Sequence, residues 1–285
     1  MDERTSHADN RQVCAFQIGS PQAAAAFRAE HRAFFDGADV LEAAFATAYE
    51  RPFSTSDNAA AVIFFLGSRC VEDFREVALL AAHSHGWGAT AHLRGMYERA
   101  VTCAYLATHP GEVDPFVEYD LVRRWRVSQK IKETFNIDAE DEAKLQQLEQ
   151  DYAKVVDQFR VPQCKNCKTT RINHSWTRLD FVSMAARVGA LGRVVVPGYY
   201  MPSAQAHATA ASALYRLSED SDGSFFVDPT TNEQEAKRSF QFAHLIILGV
   251  LTTQHEFFKL TELDEILGKA WEHYRSAWGY EKTAG

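Results

Sequence analysis

Apolar residues recur along most of this chain with the three-to-four spacing of helices packed on one side. Phe27, Phe34, Leu41, Phe45 and Ala48 mark one face of a helix over 21–50, opened by Pro21 and ended by Arg51-Pro52. Ser54 to Asn58 offers caps for a second helix that runs to about His83, with Val62, Phe65, Leu66, Arg69, Cys70, Phe74, Val77 and Leu80 at helical spacing. A third helix covers about 89–107, after the break His83-Ser-His-Gly-Trp-Gly88. A fourth runs from Asp114 or Pro115 to Phe135. A fifth starts at Asp138, and its Leu145, Leu148, Tyr152, Val155 and Phe159 form a heptad-like seam. The last two predict an antiparallel hairpin over 114–160, projecting from the body.

Residues 162–175 read as a loop, Trp176 to about Leu191 as a helix, and Val194 to Val196 as a short extended run. An alanine-rich helix follows from Ala204 to Leu217, with Ser203 as its N-cap. Phe225 to Val227 reads as a short strand. A long helix runs from Thr230 or Thr231 to about Lys259, and a last one covers 261–278. The pattern predicts an all-α fold, a multi-helix bundle of about nine helices. A polar N-terminus over 1–20 would precede a single domain over 21–280.

Composition changes this picture little. The 285 residues are 46% apolar, enough to build one large core, and the net charge of -8 leaves nucleic-acid binding to a local basic patch. Five sparse cysteines fit a reducing compartment. The longest apolar runs, Ala59–Gly67 and Leu245–Leu251, fall far short of the roughly 20 residues that span a bilayer. A soluble, cytoplasmic protein without a membrane partner is the expectation.

Chemistry enters where polar groups interrupt apolar helices. Arg94 and Glu98 stand four apart and share one helix face, on a stripe with Trp87, Ala91, Val101 and Tyr105 that reads as core-facing. Charges there are costly unless paired or used. Arg94 can grip a phosphate or carboxylate through its two-pronged donor face, and Glu98 can orient it or act as a base. The plain alternative is a buried ion pair that fixes helix register. His92 lies beside them as a further polar contact.

Tyr199-Tyr200-Met-Pro-Ser203-x-x-x-His207 is the second constellation. His207 suits general acid or base work, Ser203 sits at the presumed helix start, and Tyr199 and Tyr200 offer substrate contacts. The alternative is a capping serine and a core histidine. The small residues after Ser203 would let another helix approach, which suggests that His207 meets Arg94 and Glu98.

Three weaker signals complete the set. Cys164-x-x-Cys167 with His174 is a zinc candidate lacking a fourth ligand, so neither metal nor cofactor is expected. Tyr119, Arg123, Arg126 and Lys130 lie on one helix face and could track an RNA backbone, although a solvated charged face is the commoner reading. Arg238 and His244 match the loose arginine-to-histidine spacing of HEPN-type ribonucleases and form an alternative catalytic pair. Six residues rotate about 240° on a helix, which sets the two apart. The phosphate-binding GxxxxGK[ST], GxGxxG and HExxH patterns are absent from the chain.

The order Leu93-Arg94-x-x-x-Glu98, Cys164-x-x-Cys167 with Ser175-Trp176, and Tyr199-Tyr200-x-x-Ser203-x-x-x-His207 resembles a bacterial family catalogued as domain of unknown function 5677, over roughly residues 55–260. The resemblance implies an all-helical fold with polar positions at Arg94, Glu98, Trp176, Tyr200, Ser203 and His207. It also carries a distant HEPN-like or phage-defence flavour. Together these suggest a metal-independent ribonuclease acting on RNA or a phosphorylated small molecule. The alternative is a non-catalytic sensing or scaffold module that forms a homodimer through the 114–160 hairpin.

Overall fold

The computed structural model describes residues 19–136, 138–164, 168–207, 210–227 and 230–280. The first eighteen residues of the expected polar N-terminus lie outside them. Twelve α-helices appear in this order: α1 (Pro21–Glu30), α2 (Arg32–Phe35), α3 (Asp39–Tyr49), α4 (Asn58–Ala82), α5 (Gly86–Thr108), α6 (Val113–Thr134), α7 (Ala139–Val155), α8 (Phe181–Ala185), α9 (Met201–Ala206), α10 (Ala210–Leu214), α11 (Thr230–Phe258) and α12 (Asp264–Ala277). Two antiparallel strand pairs interrupt them. Strand β1 (Arg160–Pro162) pairs with β2 (Thr170–Ile172), and β3 (Leu217–Glu219) with β4 (Phe225–Val227). The chain is mostly helical and packed as a bundle, and eight of these twelve α-helices have at least seven residues.

The three longest apolar patterns, α4, α5 and α11, pack on one another and form the centre. Ile63, Cys70 and Val77 of α4, Leu93, Met96 and Ala100 of α5, and Phe240, Ile247 and Leu251 of α11 are fully enclosed. Each enclosed large side chain contributes roughly 1.5–3 kcal/mol of burial. Asp57 caps α4 by accepting from the Ala59 N–H (2.9 Å), and Asp138 caps α7 by accepting from Asp141 (2.9 Å). The turn between α4 and α5 passes through Ser84 in the left-handed region (φ 61°). Asn232 of α11 closes that turn, donating to the Ser84 carbonyl and accepting from the Trp87 N–H. Gly86 leaves room for this approach, since a Cβ there would collide with the Asn232 carbonyl.

Cys70 and Cys103 are enclosed, and burial pushes the Cys103 thiol up to about 12. Both are inert core residues at neutral pH. Helices α6 and α7 form the expected hairpin, with a small apolar cluster of their own built on Tyr119, Val122 and Phe159. Among the described residues, no helix is long and apolar enough to cross a membrane.

Several expected elements are different. The helix over 21–50 breaks at His31 and again at 36–38, giving α1, α2 and α3. Gly37 lies at the second break, against the His273 ring. Residues 176–191 are helical only over α8, before a 3₁₀ turn at Gly189–Val194. The run Val194–Val196 is not extended: Val194 ends the 3₁₀ turn, and Val196 opens a π-helical turn over Val196–Tyr200. β-branched residues favour strands only when another strand receives them. None does here, and Val194 is buried in the main core instead. The loop after 160 contains the β1–β2 pair, and the alanine-rich helix is divided into α9 and α10.

The aromatic side of the core encloses His244, packed against Phe34, Phe74, His273 and Tyr274. Trp278 Nε1 donates to its Nδ1 at 3.1 Å, so the ring is neutral with its proton on Nε2. Burial first, and the neighbouring His273 second, lower its pKa to about 3. Burial lowers that of His31 as well. The unfolded chain therefore takes up protons below its own histidine pKa of about 6.5 while the folded chain resists them. Stability should be complete above about pH 6.5 and decline as pH falls from there towards 3. His244 contributes a slope of up to about 1.4 kcal/mol per pH unit. Urea midpoints between pH 4 and 7 measure this, and His244→Phe should flatten the slope; an unchanged slope would contradict the assignment.

Candidate functional site

Helix α5 places its side chains on three sides. Leu93, Met96, Tyr97 and Ala100 enter the core. Arg94 and Glu98 face the segment 196–207, and His92 and Arg99 face α4.

Tyr97 locates the first of these surfaces. It is fully enclosed, and its hydroxyl donates to the Leu191 carbonyl at 2.8 Å. Burial raises its pKa above the usual tyrosine value. Gly198 lies directly on its ring, where a Cβ would come within 2.8 Å of Cγ. Phe181 meets the Tyr97 ring edge-on and packs at 4.5 Å on Tyr199. The π-helical turn is thereby seated on α5, and Tyr199 is brought under Arg94, whose guanidinium carbon sits 5.2 Å from the ring centroid.

Arg94 is held from two more directions. Glu98 Oε1 accepts from Nε at 3.2 Å and lies 3.1 Å from Nη2. His207 Nε2 is 3.0 Å from Nη1. Arginine only donates, so Nε2 accepts and His207 carries its proton on Nδ1. Among the described residues, three of the five guanidinium N–H groups are engaged and two remain. His207 reaches this position because α9 ends at Ala206 and the backbone at 207 is extended (φ -101°, ψ 150°). The cluster is less enclosed than its apolar stripe suggests: the Arg94 and Glu98 side chains are 24% and 42% exposed, and His207 lies at the surface.

Other expected residues are placed differently. Ser203 is no N-cap, because helical chain already precedes it; its hydroxyl donates back to the Tyr199 carbonyl at 2.5 Å. Tyr200 is exposed, with its ring beside Tyr199. His92 turns away from Arg94 to Asp73 and Glu76 of α4, because two residues rotate about 200° on a helix.

Trp176 packs between Tyr105 and Phe116 and touches both apolar clusters, which makes it the bolt between hairpin and body. Tyr105 lies eleven residues beyond Arg94 on α5, about 16 Å along the axis, so Trp176 does not join the Arg94 cluster. Arg126 is not offered to a backbone phosphate. It donates to the Tyr119 hydroxyl (3.0 Å) and the Asn173 carbonyl (2.8 Å), tying the chain after β2 to α6. Lys130 pairs with Glu133 at 2.6 Å, and Arg123 is exposed near His174 at the rim of a cavity. Cys164 and His174 are both exposed, and Cys167 lies outside the described residues. Arg238 and His244 form no shared site: Arg238 donates to Glu235 at 2.7 Å, whereas His244 is sealed in the aromatic core.

Two buried carboxylates escaped the sequence reading. Asp73, fully enclosed, receives both Arg99 Nε (2.5 Å) and Nη2 (2.7 Å). Glu235 receives Arg238, Thr90 (3.2 Å) and Tyr215 (3.3 Å). The signal for Asp73 was available, since it stands in the same apolar stripe as Cys70 and Val77. Thr90 lies one turn before Arg94, so the Glu235 cluster continues the polar strip along α5. Arg216, 4.2 Å over the Trp87 ring, ends it.

Tyr97→Phe removes only the hydroxyl and leaves the Leu191 carbonyl without its donor. The expected cost is about 1–3 kcal/mol. Faster amide exchange should be confined to 189–200, with α4 and α11 unaffected. Exchange that rises evenly over the whole chain would show that the hydroxyl does not seat this segment.

No protein of curated function and no solved structure matches the chain. A family profile matches residues 60–225, which include the whole Arg94 cluster from α5 to His207. That match spans more than half of the sequence, and the chain belongs to the Family of unknown function (DUF5677).

Proposed function

We propose that the Arg94 cluster binds a phosphate group and supports metal-independent cleavage of RNA, the most concrete setting being a toxin or phage-defence effector. The observation that carries this reading is the 3.0 Å contact between Arg94 Nη1 and His207 Nε2, beside the Glu98 carboxylate. The two remaining N–H groups of Arg94 suit a phosphoryl oxygen. A phosphate seated there competes with His207 for the guanidinium and frees the Nε2 lone pair. His207 would then take the proton of a 2′-hydroxyl as it attacks the adjacent phosphorus; the bond to the 5′-oxygen breaks, that oxygen keeps the electron pair and takes a proton from water, and a 2′,3′-cyclic phosphate is left. Glu98 keeps Arg94 oriented, and the exposed Tyr200 offers a face for a base. Ser203 supports the site by holding the Tyr199 carbonyl. A phosphorylated small molecule would use the same Arg94 donors.

A second reading, a non-catalytic module that pairs with another copy of itself, is favoured by the outer face of α6. Val117, Val127 and Ile131 are exposed along it, with Asp120 and Arg124 between them. An antiparallel pair of α6 helices centred near position 122 sets Val117 opposite Val127 and Asp120 opposite Arg124, each twice.

Purified protein should cleave total cellular RNA or a tRNA panel with chelator present, and His207→Ala should lose that activity while keeping its helical circular dichroism. Equal cleavage by both proteins, or none by either, would remove the ribonuclease reading. Light scattering tests the second reading. A dimer at micromolar concentration that Ile131→Glu converts to monomer supports it, and a monomeric wild type refutes it.

A further inference from the structure

We propose that Asp73, Glu76 and His92 form a zinc site that clamps α4 to α5, on the side of α5 away from Arg94. Asp73 and Glu76 stand three apart on α4 and share a face, and His92 reaches them from α5. One ligand atom from each lies within 4.8 Å of the other two. Asp73 Oδ1 is 3.3 Å from His92 Nε2. Two ligands bound tetrahedrally at the usual zinc distances of about 2.0–2.1 Å are separated by about 3.3 Å.

His92 Nε2 is the observation that requires an explanation. It is buried and close to carboxylate oxygens of both Asp73 and Glu76, yet it makes no hydrogen bond of normal geometry. A nitrogen aimed between two carboxylates is poorly served by a single proton and well served by a cation that all three can share. The charges agree. Glu72, Asp73 and Glu76 outnumber Arg69 and Arg99 by three to two, so the cation meets an unbalanced carboxylate.

Arg99 does not block the site. A carboxylate oxygen accepts in two directions, and Arg99 occupies one direction at each Asp73 oxygen, while Arg69 Nη2 lies 3.6 Å from Oδ1, outside hydrogen-bond reach. It thus orients the ligand from behind, as supporting hydrogen bonds commonly do at metal centres. Glu76 and His92 are 48% and 31% exposed, which leaves the fourth position to water. Two carboxylates and one imidazole suit zinc among the borderline divalent cations.

The test uses the full chain, stripped with chelator and then titrated with Zn²⁺, and with Co²⁺ as a coloured probe. One equivalent should bind, and both His92→Ala and Glu76→Gln should weaken it at least tenfold. Glu76 is at the surface, so its variant keeps the fold even if His92→Ala does not. Cys164→Ser should leave affinity unchanged, and the Co²⁺ spectrum should lack a thiolate charge-transfer band. The proposal is overturned if folded wild type binds no metal, in which case the triad is an ionic knot only. It is equally overturned if Glu76→Gln binds as tightly as wild type, or if a thiolate band assigns the metal to the Cys164 loop. None of these results depends on RNA cleavage.

Discussion

A carboxylate without solvent has to be answered by a cation, and Asp73 is in that position. Breaking such a pair from one side costs about 3–5 kcal/mol, because the remaining charge stays buried. Arg99 answers it through two hydrogen bonds, and this joint fixes how α5 is rotated against α4. Everything else on α5 follows from that rotation. Tyr97, two residues before Arg99, points to the Leu191 carbonyl and the bare backbone of Gly198. Arg94 and Glu98 then face the segment that Tyr97 has seated. The buried ion pair contributes registry more than net stability.

The central helices were legible in the sequence because their apolar period runs on for about six to eight turns, and the cap at Asp57 marks where α4 begins, as Asp138 does for α7 of the hairpin. The elements around the candidate site were less so. Between Trp176 and Leu217 the chain is rich in small residues that are compatible with a continuous helix. What divides it is tertiary: a π-helical turn lying on Tyr97, a short helix ended at Ala206, and an extended residue at 207. Arg94 and Glu98 could be paired from their spacing alone. The contact of His207 with Arg94 depends on the helix break, which no local pattern announces. Asp73 was missed for a different reason. One charge within an apolar stripe draws less attention than two, although the isolated one is the more demanding to bury.

Trp176 and Arg126 show how easily structural residues resemble functional ones. An indole and a guanidinium beside a tyrosine are common ingredients of nucleic-acid surfaces. Here the indole joins two apolar clusters, and the guanidinium shares with the Tyr119 hydroxyl the backbone carbonyl of Asn173. The distinction lies in where the donors point. Arg126 turns both terminal nitrogens inward, onto the Tyr119 hydroxyl and the Asn173 carbonyl, whereas Arg94 stands beside a surface histidine with two N–H groups left over among the described residues.

That surplus bears on the kind of ligand the Arg94 cluster suits. Tyr199 beneath, Glu98 beside and His207 at the end hold the guanidinium before any ligand arrives, so little side-chain freedom remains to be lost on binding. The outer side is open, with His207 and Tyr200 both at the surface. A small molecule would keep much of its surface in water there and gain little from burial. A polymer can place one phosphate on Arg94 and distribute its remaining contacts over neighbouring surface. Within the proposed phosphate-binding role, an open cluster of this kind suits a chain passing across it better than a metabolite enclosed by it.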